Sequence, residues 1–218
     1  MGASGGFPID LILFGMIAAF LVLRLKSILG RRTGYERPAQ PTARVEQPRD
    51  TAQAPAPPPP VQRALPDPAT PLGQTLARMN SVDRTFDPNT FLQGAEQAFA
   101  MIVGAFAAGD RATLRPLLGD EIRGAFEAAI AEREKEVLTQ VTDIRSIHAM
   151  SIEDAHLTGT VASIVVRIVS DQVNMTHAAN GQVLSGTDAV TEINDIWTFE
   201  RDLARPDPAW HLVAARSA

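Results

Sequence analysis

The chain has 218 residues, no cysteine and a formal net charge of −5. That length suits one ordinary domain with attachments, and the lack of cysteine excludes disulfides, thiolate zinc sites and a cysteine nucleophile. Residues 1–72 hold 8 Lys+Arg against 5 Asp+Glu, and residues 73–218 hold 12 against 20; so acidic a C-terminal part is a poor general binder of polyanions, and no nucleic-acid partner is expected.

Leu11 to Leu23 is an unbroken apolar run with Gly15 inside it. It extends to Ile28-Leu29 if Arg24 and Lys26 snorkel their charges to the headgroups. Residues 7–29 then approach the roughly 20 needed to span a bilayer. A cleaved signal peptide is the weaker alternative, because no positive charge precedes the run and no small-x-small site clearly follows it. Arg24, Lys26, Arg31 and Arg32 all follow the span. The positive-inside rule therefore expects a periplasmic N-terminus and a cytoplasmic C-terminal domain at a bacterial inner membrane.

Residues 33–72 are dominated by Pro, Ala, Gln and Thr, including Pro57 to Pro60. Such a segment cannot bury enough apolar surface to offset its ordering entropy. It reads as a disordered linker biased to extended polyproline II, with a polyproline ligand for an aromatic groove as the alternative.

Over 73–86, Met79, Val82 and Phe86 continue a stripe begun at Leu72 and Leu76, spaced for one face of a short amphipathic helix. It caps the domain, or lies on a membrane or in a partner groove. Asp87 reads as an N-cap with Pro88 at the first helical position. Phe91, Leu92, Ala95, Phe99, Ile102, Val103 and Phe106 then form a wide apolar stripe, and Gly109 is the stop. A short turn of helix follows Asp110, and a further helix runs from about Asp120 to Glu136. Its run of Glu127, Glu132, Arg133, Glu134, Lys135 and Glu136 reads as a solvated face, with a docking face for a basic partner as the alternative.

After Val137 the residues become β-branched and lose the helical period, as in Val161-Ala-Ser-Ile-Val-Val-Arg-Ile-Val169. Four strands are predicted, at 139–151, 156–174, 188–202 and 209–216. Helices first and strands after argue for an α+β fold: N-terminal helices packed on a four-stranded antiparallel sheet.

Alternation in the third strand puts Ile193, Asp195, Trp197 and Phe199 on one face. Asp195 therefore sits among residues expected to bury, where an unpaired carboxylate is costly. It reads as a structural carboxylate, with a pocket acid or base as the alternative. Trp197 and Trp210 read as core, or as an aromatic wall of a ligand pocket. His148, His156, His177 and His211 make no metal-ligand spacing. No phosphate loop, nucleophile elbow or zinc-protease motif is present. No catalytic residue, metal or cofactor is expected.

Several segments in order resemble one family: Phe86-Asp-Pro-Asn-Thr-Phe-Leu-Gln-Gly-Ala95, Ala98-Phe99, Ala105-Phe-Ala-Ala-Gly-Asp110, Val169-Ser-Asp-Gln-Val173, Asp195-Ile-Trp-Thr-Phe-Glu-Arg-Asp202 and Pro206-Asp-Pro-Ala-Trp-His-Leu-Val213. Together, from about Phe86 to the C-terminus, with the domain set at 87–218, they resemble the C-terminal domain of the Tim-forty-four family. Its namesake scaffolds the protein-import motor at the mitochondrial inner membrane, and bacterial relatives carry a similar domain behind a membrane anchor. The resemblance implies a cone of the nuclear-transport-factor-two-like or cystatin-like kind, with helices on a curved sheet around an apolar pocket. It departs at the N-terminus, where the mitochondrial members have a long charged helical region engaging a chaperone. Chaperone recruitment therefore does not carry over.

The expected function is that of a non-enzymatic adaptor, held to the bilayer by Leu11 to Leu23 with Arg24 and Lys26. Its partner would be a protein of translocation or membrane-protein quality control, or the ribosome. Binding of a lipid or small apolar ligand in the cone is the alternative, with Phe91, Phe99, Trp197, Phe199 and Asp195 as pocket residues. An isomerase-type pocket enzyme using Asp195 is the remote one.

Overall fold

The computed structural model describes residues 60–218, so the predicted span over 7–29 and most of the proline-rich stretch lie outside the described residues. In chain order the elements are β1 (Gln62–Ala64), α1 (Pro71–Val82), α2 (Pro88–Ala108), α3 (Arg111–Leu114), α4 (Asp120–Lys135), β2 (Thr139–Thr158), β3 (Val161–His177), β4 (Val183–Asp202) and β5 (His211–Ser217).

The helix starts follow from side chains that satisfy free backbone amides. Thr70 accepts from the Gly73 amide at 3.1 Å, with Pro71 opening α1. Gly73 has a second reason to be there, since a Cβ would meet the Asp67 carbonyl oxygen at 2.3 Å. Asp87 accepts from the Thr90 amide at 2.8 Å, with Pro88 opening α2. Gly109, at φ 73°, ends α2 in the left-handed conformation expected of it.

The stripe on α2 buries Phe91, Leu92, Ala95, Phe99, Ile102 and Ala105. By length and composition α2 could cross a membrane. Here that stripe belongs to the same core cluster as Ile164, Val166 and Phe199 of the sheet, so α2 is the central helix of a packed domain.

The sheet has five strands in the order β1-β2-β3-β4-β5, with β1 parallel to β2 and the remaining pairs antiparallel. The expectation of four antiparallel strands is therefore corrected to a mixed sheet of five. The extra strand has three exposed residues and no alternation, so nothing in its side chains signals a strand. It falls inside the stretch read as linker, yet it aligns Gln62 with Ala149, and Val61 beside it packs on the core. Arg63 pairs with Glu96 of α2.

The predicted break at 152–155 is also absent, because β2 runs unbroken through register shifts at Ile144/Ser146, Ile147/Ala149 and Ile152/Asp154. Each bulge displaces the alternation by a residue and bends the strand, which hides one long strand in the sequence and curves the sheet. Along β3 the alternation is clean. Ala162, Ile164, Val166, Ile168, Ser170 and Gln172 are buried, and Ser163, Val165, Arg167, Val169 and Asp171 are part-exposed on the opposite face. The buried set faces the helices. Among the described residues no helix covers the other face.

Candidate functional site

The register of β3 against β4 sets Phe199 opposite Ile164, Trp197 opposite Val166 and Asp195 opposite Ile168, all on the helix-covered face. The turns of α2 bring Phe91 and Phe99 down onto them. Phe99 meets Trp197 edge-on with ring centres 4.8 Å apart, and Phe91 meets Phe199 edge-on at 6.0 Å. Trp210, just before β5, meets Phe91 at 4.8 Å and Phe86 at 5.9 Å. Phe91, Phe99, Trp197 and Phe199 are all buried. The candidate pocket residues are thus brought together, with their rings interlocked in the edge-to-face geometry favoured by aromatic quadrupoles. They fill the space between helix and sheet.

Asp195 is part-buried at the end of this cluster, between Ile168 on β3 and Ser217 on β5. Burial alone pushes its carboxyl up to about 6. The charged form is disfavoured because the site has lost water without gaining an arginine or backbone amide in exchange.

Two features went unread in the sequence. The first is an ion pair between Asp83, which ends α1, and Arg201 near the end of β4, at 2.9 Å. Arg201 also donates through Nε to the Asp207 carbonyl at 3.1 Å, tying in the β4–β5 connection. The second is a chain of polar side chains on the covered face. Gln172 donates to Ser170 at 2.9 Å, Asn174 to Gln172 at 3.2 Å and Thr142 to Asn174 at 2.7 Å. Gln140 donates to Thr142 at 3.3 Å and accepts from Arg133.

Arg133 departs from the solvated face read for α4. It turns inward, donates to the Phe106 carbonyl at 2.7 Å and the Ala107 carbonyl at 3.2 Å, and stacks over the Phe106 ring at 5.2 Å. A cation thus sits where the α2 dipole is negative. Glu134 does face solvent, in a two-pronged pair with Arg111 at 2.7 Å on each prong.

On the face that no described helix covers, His148 Nε2 lies 2.9 Å from Asp171 and 3.3 Å from Ser146 Oγ. Both contacts use one ring nitrogen, so the trio cannot act as a nucleophile triad, which needs the acid and the hydroxyl on opposite nitrogens. Among the described residues no group of three side chains could hold a metal. Two surface grooves lie away from the aromatic cluster. One, at the β4–β5 end, includes Arg115, Asp120, Arg123, Asp202 and Arg205. The other, of about 410 Å³, is on the uncovered face among Val165, Arg167, Ile196, Thr198 and Arg216.

The model of the Tim44-like domain family matches residues 72–217. No curated protein matches the chain. Among solved structures, the intermembrane space region of the chloroplast protein ARC6 is 11% identical, covering 61% of this chain and 96% of its own, with a TM-score of 0.44. A protein of the NTF2-like family from Streptomyces avermitilis is 14% identical over 60% of this chain and 97% of its own, with a TM-score of 0.37. A conserved protein from Planctomyces limnophilus is 14% identical over 58% and 94%, with a TM-score of 0.35. At TM-scores this low the structural likenesses carry no argument.

Proposed function

Because the chain belongs to the Tim44-like domain family, we propose that it is a membrane-anchored adaptor, binding a protein partner of translocation or membrane-protein quality control at the cytoplasmic face of the inner membrane. The observation that carries this reading is the filled concavity. Phe91, Phe99, Trp197 and Phe199 occupy with their own rings the space where a small ligand would sit. Recognition is then a task for the domain's outer surface, and among the described residues one whole face of the sheet has no helix over it. The apolar run Leu11 to Leu23, with Arg24 and Lys26 behind it, supplies the anchor in this reading, and the proline-rich stretch sets the reach. Tethering raises the effective concentration of the domain near membrane partners without any new contact.

A second reading, a pocket enzyme, draws on the Asp195 carboxyl being raised to about 6 by burial, within the range a general base needs. It requires the packed rings beside Asp195 to part. Photo-crosslinking of the full-length protein in native membranes, with proteins and lipids identified by mass spectrometry, tests the adaptor reading. A specific protein joined to the sheet in both the wild type and Asp195→Asn supports it. A stoichiometric lipid with no protein, or partner loss on Asp195→Asn in a folded domain, contradicts it.

A further inference from the structure

Helices α2 and α4 end in the same hydrogen-bonded motif. In α2 the Asp110 amide donates to the Ala105 carbonyl at 2.8 Å and the Gly109 amide to the Phe106 carbonyl at 3.2 Å. In α4 the Leu138 amide donates to the Arg133 carbonyl at 2.9 Å and the Val137 amide to the Glu134 carbonyl at 3.0 Å. Each motif needs a left-handed residue at its pivot. At the first the pivot is Gly109, at φ 73°, and at the second it is Val137, at φ 53°. A β-branched residue in that conformation is strained. Burial gives nothing back, because Val137 is 63% exposed. Within the folded chain alone, a glycine would serve better.

Val137 has company. Val141, Val183, Leu184 and Val190 are 40–54% exposed and belong to the same end of the sheet, where Thr139 aligns with His177 and His177 with Val183. This end projects past β5, whose register with β4 stops at Asp195 and Ser217. From Val183 to Ile193 the outer edge of β4 has no strand partner among the described residues. Val183, Leu184 and Val190 lie on β4 itself, whereas Val137 and Val141 stand on the β2 side, which β3 separates from that edge; exposed aliphatics on a free strand edge form a surface built for association.

Charge selects the partner. The neighbouring bases Lys135 and Arg145 are paired with Glu132 and Asp143. Glu136, Asp188 and Glu192, within two residues of Val137 or Val190, have no basic partner among the described residues. A second copy would bring like charges together, and an anionic bilayer would meet acid rather than base. We propose that this end of the sheet docks an extended apolar segment of a partner protein, flanked by Lys or Arg, along the free edge of β4. The segment would add main-chain bonds to the edge and bury Val183, Leu184 and Val190, while its basic flanks meet Asp188 and Glu192.

The proposal rests on the adaptor reading but fails separately from it. The test uses full-length protein in phosphatidylcholine nanodiscs, with empty nanodiscs as blank, and two labelled peptides. One is Lys-Lys-Val-Ile-Val-Leu-Val-Lys-Lys and the other has Glu in place of every Lys. We expect the Lys-flanked peptide alone to bind, and Val183→Ser and Val190→Ser each to weaken it at least tenfold. Val137→Gly, two strands from the docked edge, should melt at a higher temperature than wild type and keep the affinity, which separates docking from folding. No binding of the Lys-flanked peptide, equal binding of the Glu-flanked one, or unchanged affinity in both serine variants overturns the proposal. Native-membrane crosslinks from Thr198 with none from Val183 would also overturn it, while leaving the adaptor reading in place.

Discussion

Arg201 Nη2 lies 2.9 Å from Asp83 Oδ2 in an ion pair, fastening the C-terminal end of α1 to the far end of β4, and both side chains are about nine-tenths buried. The Thr85 hydroxyl and amide donate to the other Asp83 oxygen at 2.6 and 2.9 Å. These bonds, and after them Arg201, hold the Asp83 carboxyl below the ordinary carboxylate range. Removing one partner strands the other charge in a largely dry site, so Arg201→Ala should cost about 3 kcal/mol in urea unfolding. The pair's contribution is present above the unfolded pKa, about 4, and is lost as pH falls through the folded value. Asp83→Asn should flatten that acid limb of the stability curve. An unaltered acid limb would mean the pair is marginal.

Asp195 should do the reverse. Its folded value, raised to about 6 by burial, exceeds the unfolded one, so the folded state holds the extra proton between about pH 4 and 6. Stability from this group is full below that window and falls as pH rises through it. Asp195→Asn, which carries no charge, should stabilise the domain by roughly 1–2 kcal/mol at pH 7 and by nothing at pH 4. Equal effects at both pH values would contradict the burial account.

Arg133 ties the end of α2 to the polar chain through Phe106, Ala107 and Gln140. Lysine keeps the charge but lacks the planar fork. Arg133→Lys should therefore cost roughly 1–2 kcal/mol, with faster amide exchange at the last turn of α2 as the local sign. A neutral result would place Arg133 in solvent.

Phe99 has no exposed surface and stacks edge-on against Trp197. Phe99→Ala should cost about 3–5 kcal/mol by thermal or urea unfolding. Phe99→Asp should not fold, so it cannot serve to probe ligand binding in an intact domain. A folded Phe99→Asp domain would show that the concavity opens.

Much of this architecture is legible in the residues. Asp87, Pro88 and Gly109 bracket α2 because local caps act within a single turn, and the alternation of β3 places Ile164, Val166 and Ile168 on the covered face without outside help. The same alternation puts Asp195 beside Trp197. The misses share a cause, since each depends on a partner distant in sequence. β1 is held by the backbone of β2, not by its own side chains. The bulges in β2 shift its alternation and move the predicted turn to 152–155, several residues before the actual turn at 159–160. Arg133 sits in a run of charges, and only the nearby carbonyls of Phe106 and Ala107 turn it inward. The strain at Val137 is a backbone angle, and valine gives no warning of it.

In the adaptor reading this domain recognises partners with its outer surface and keeps its concavity filled. The decisive measurement places photo-crosslinking residues one at a time on the uncovered sheet face, at Val165 and Thr198, and at the free end of β4, at Val183, in full-length protein within native membranes. One recurring protein adduct is expected from at least one of these positions, retained in Asp195→Asn. Only lipid or small-molecule adducts, or loss of the protein adduct in Asp195→Asn, would contradict that reading.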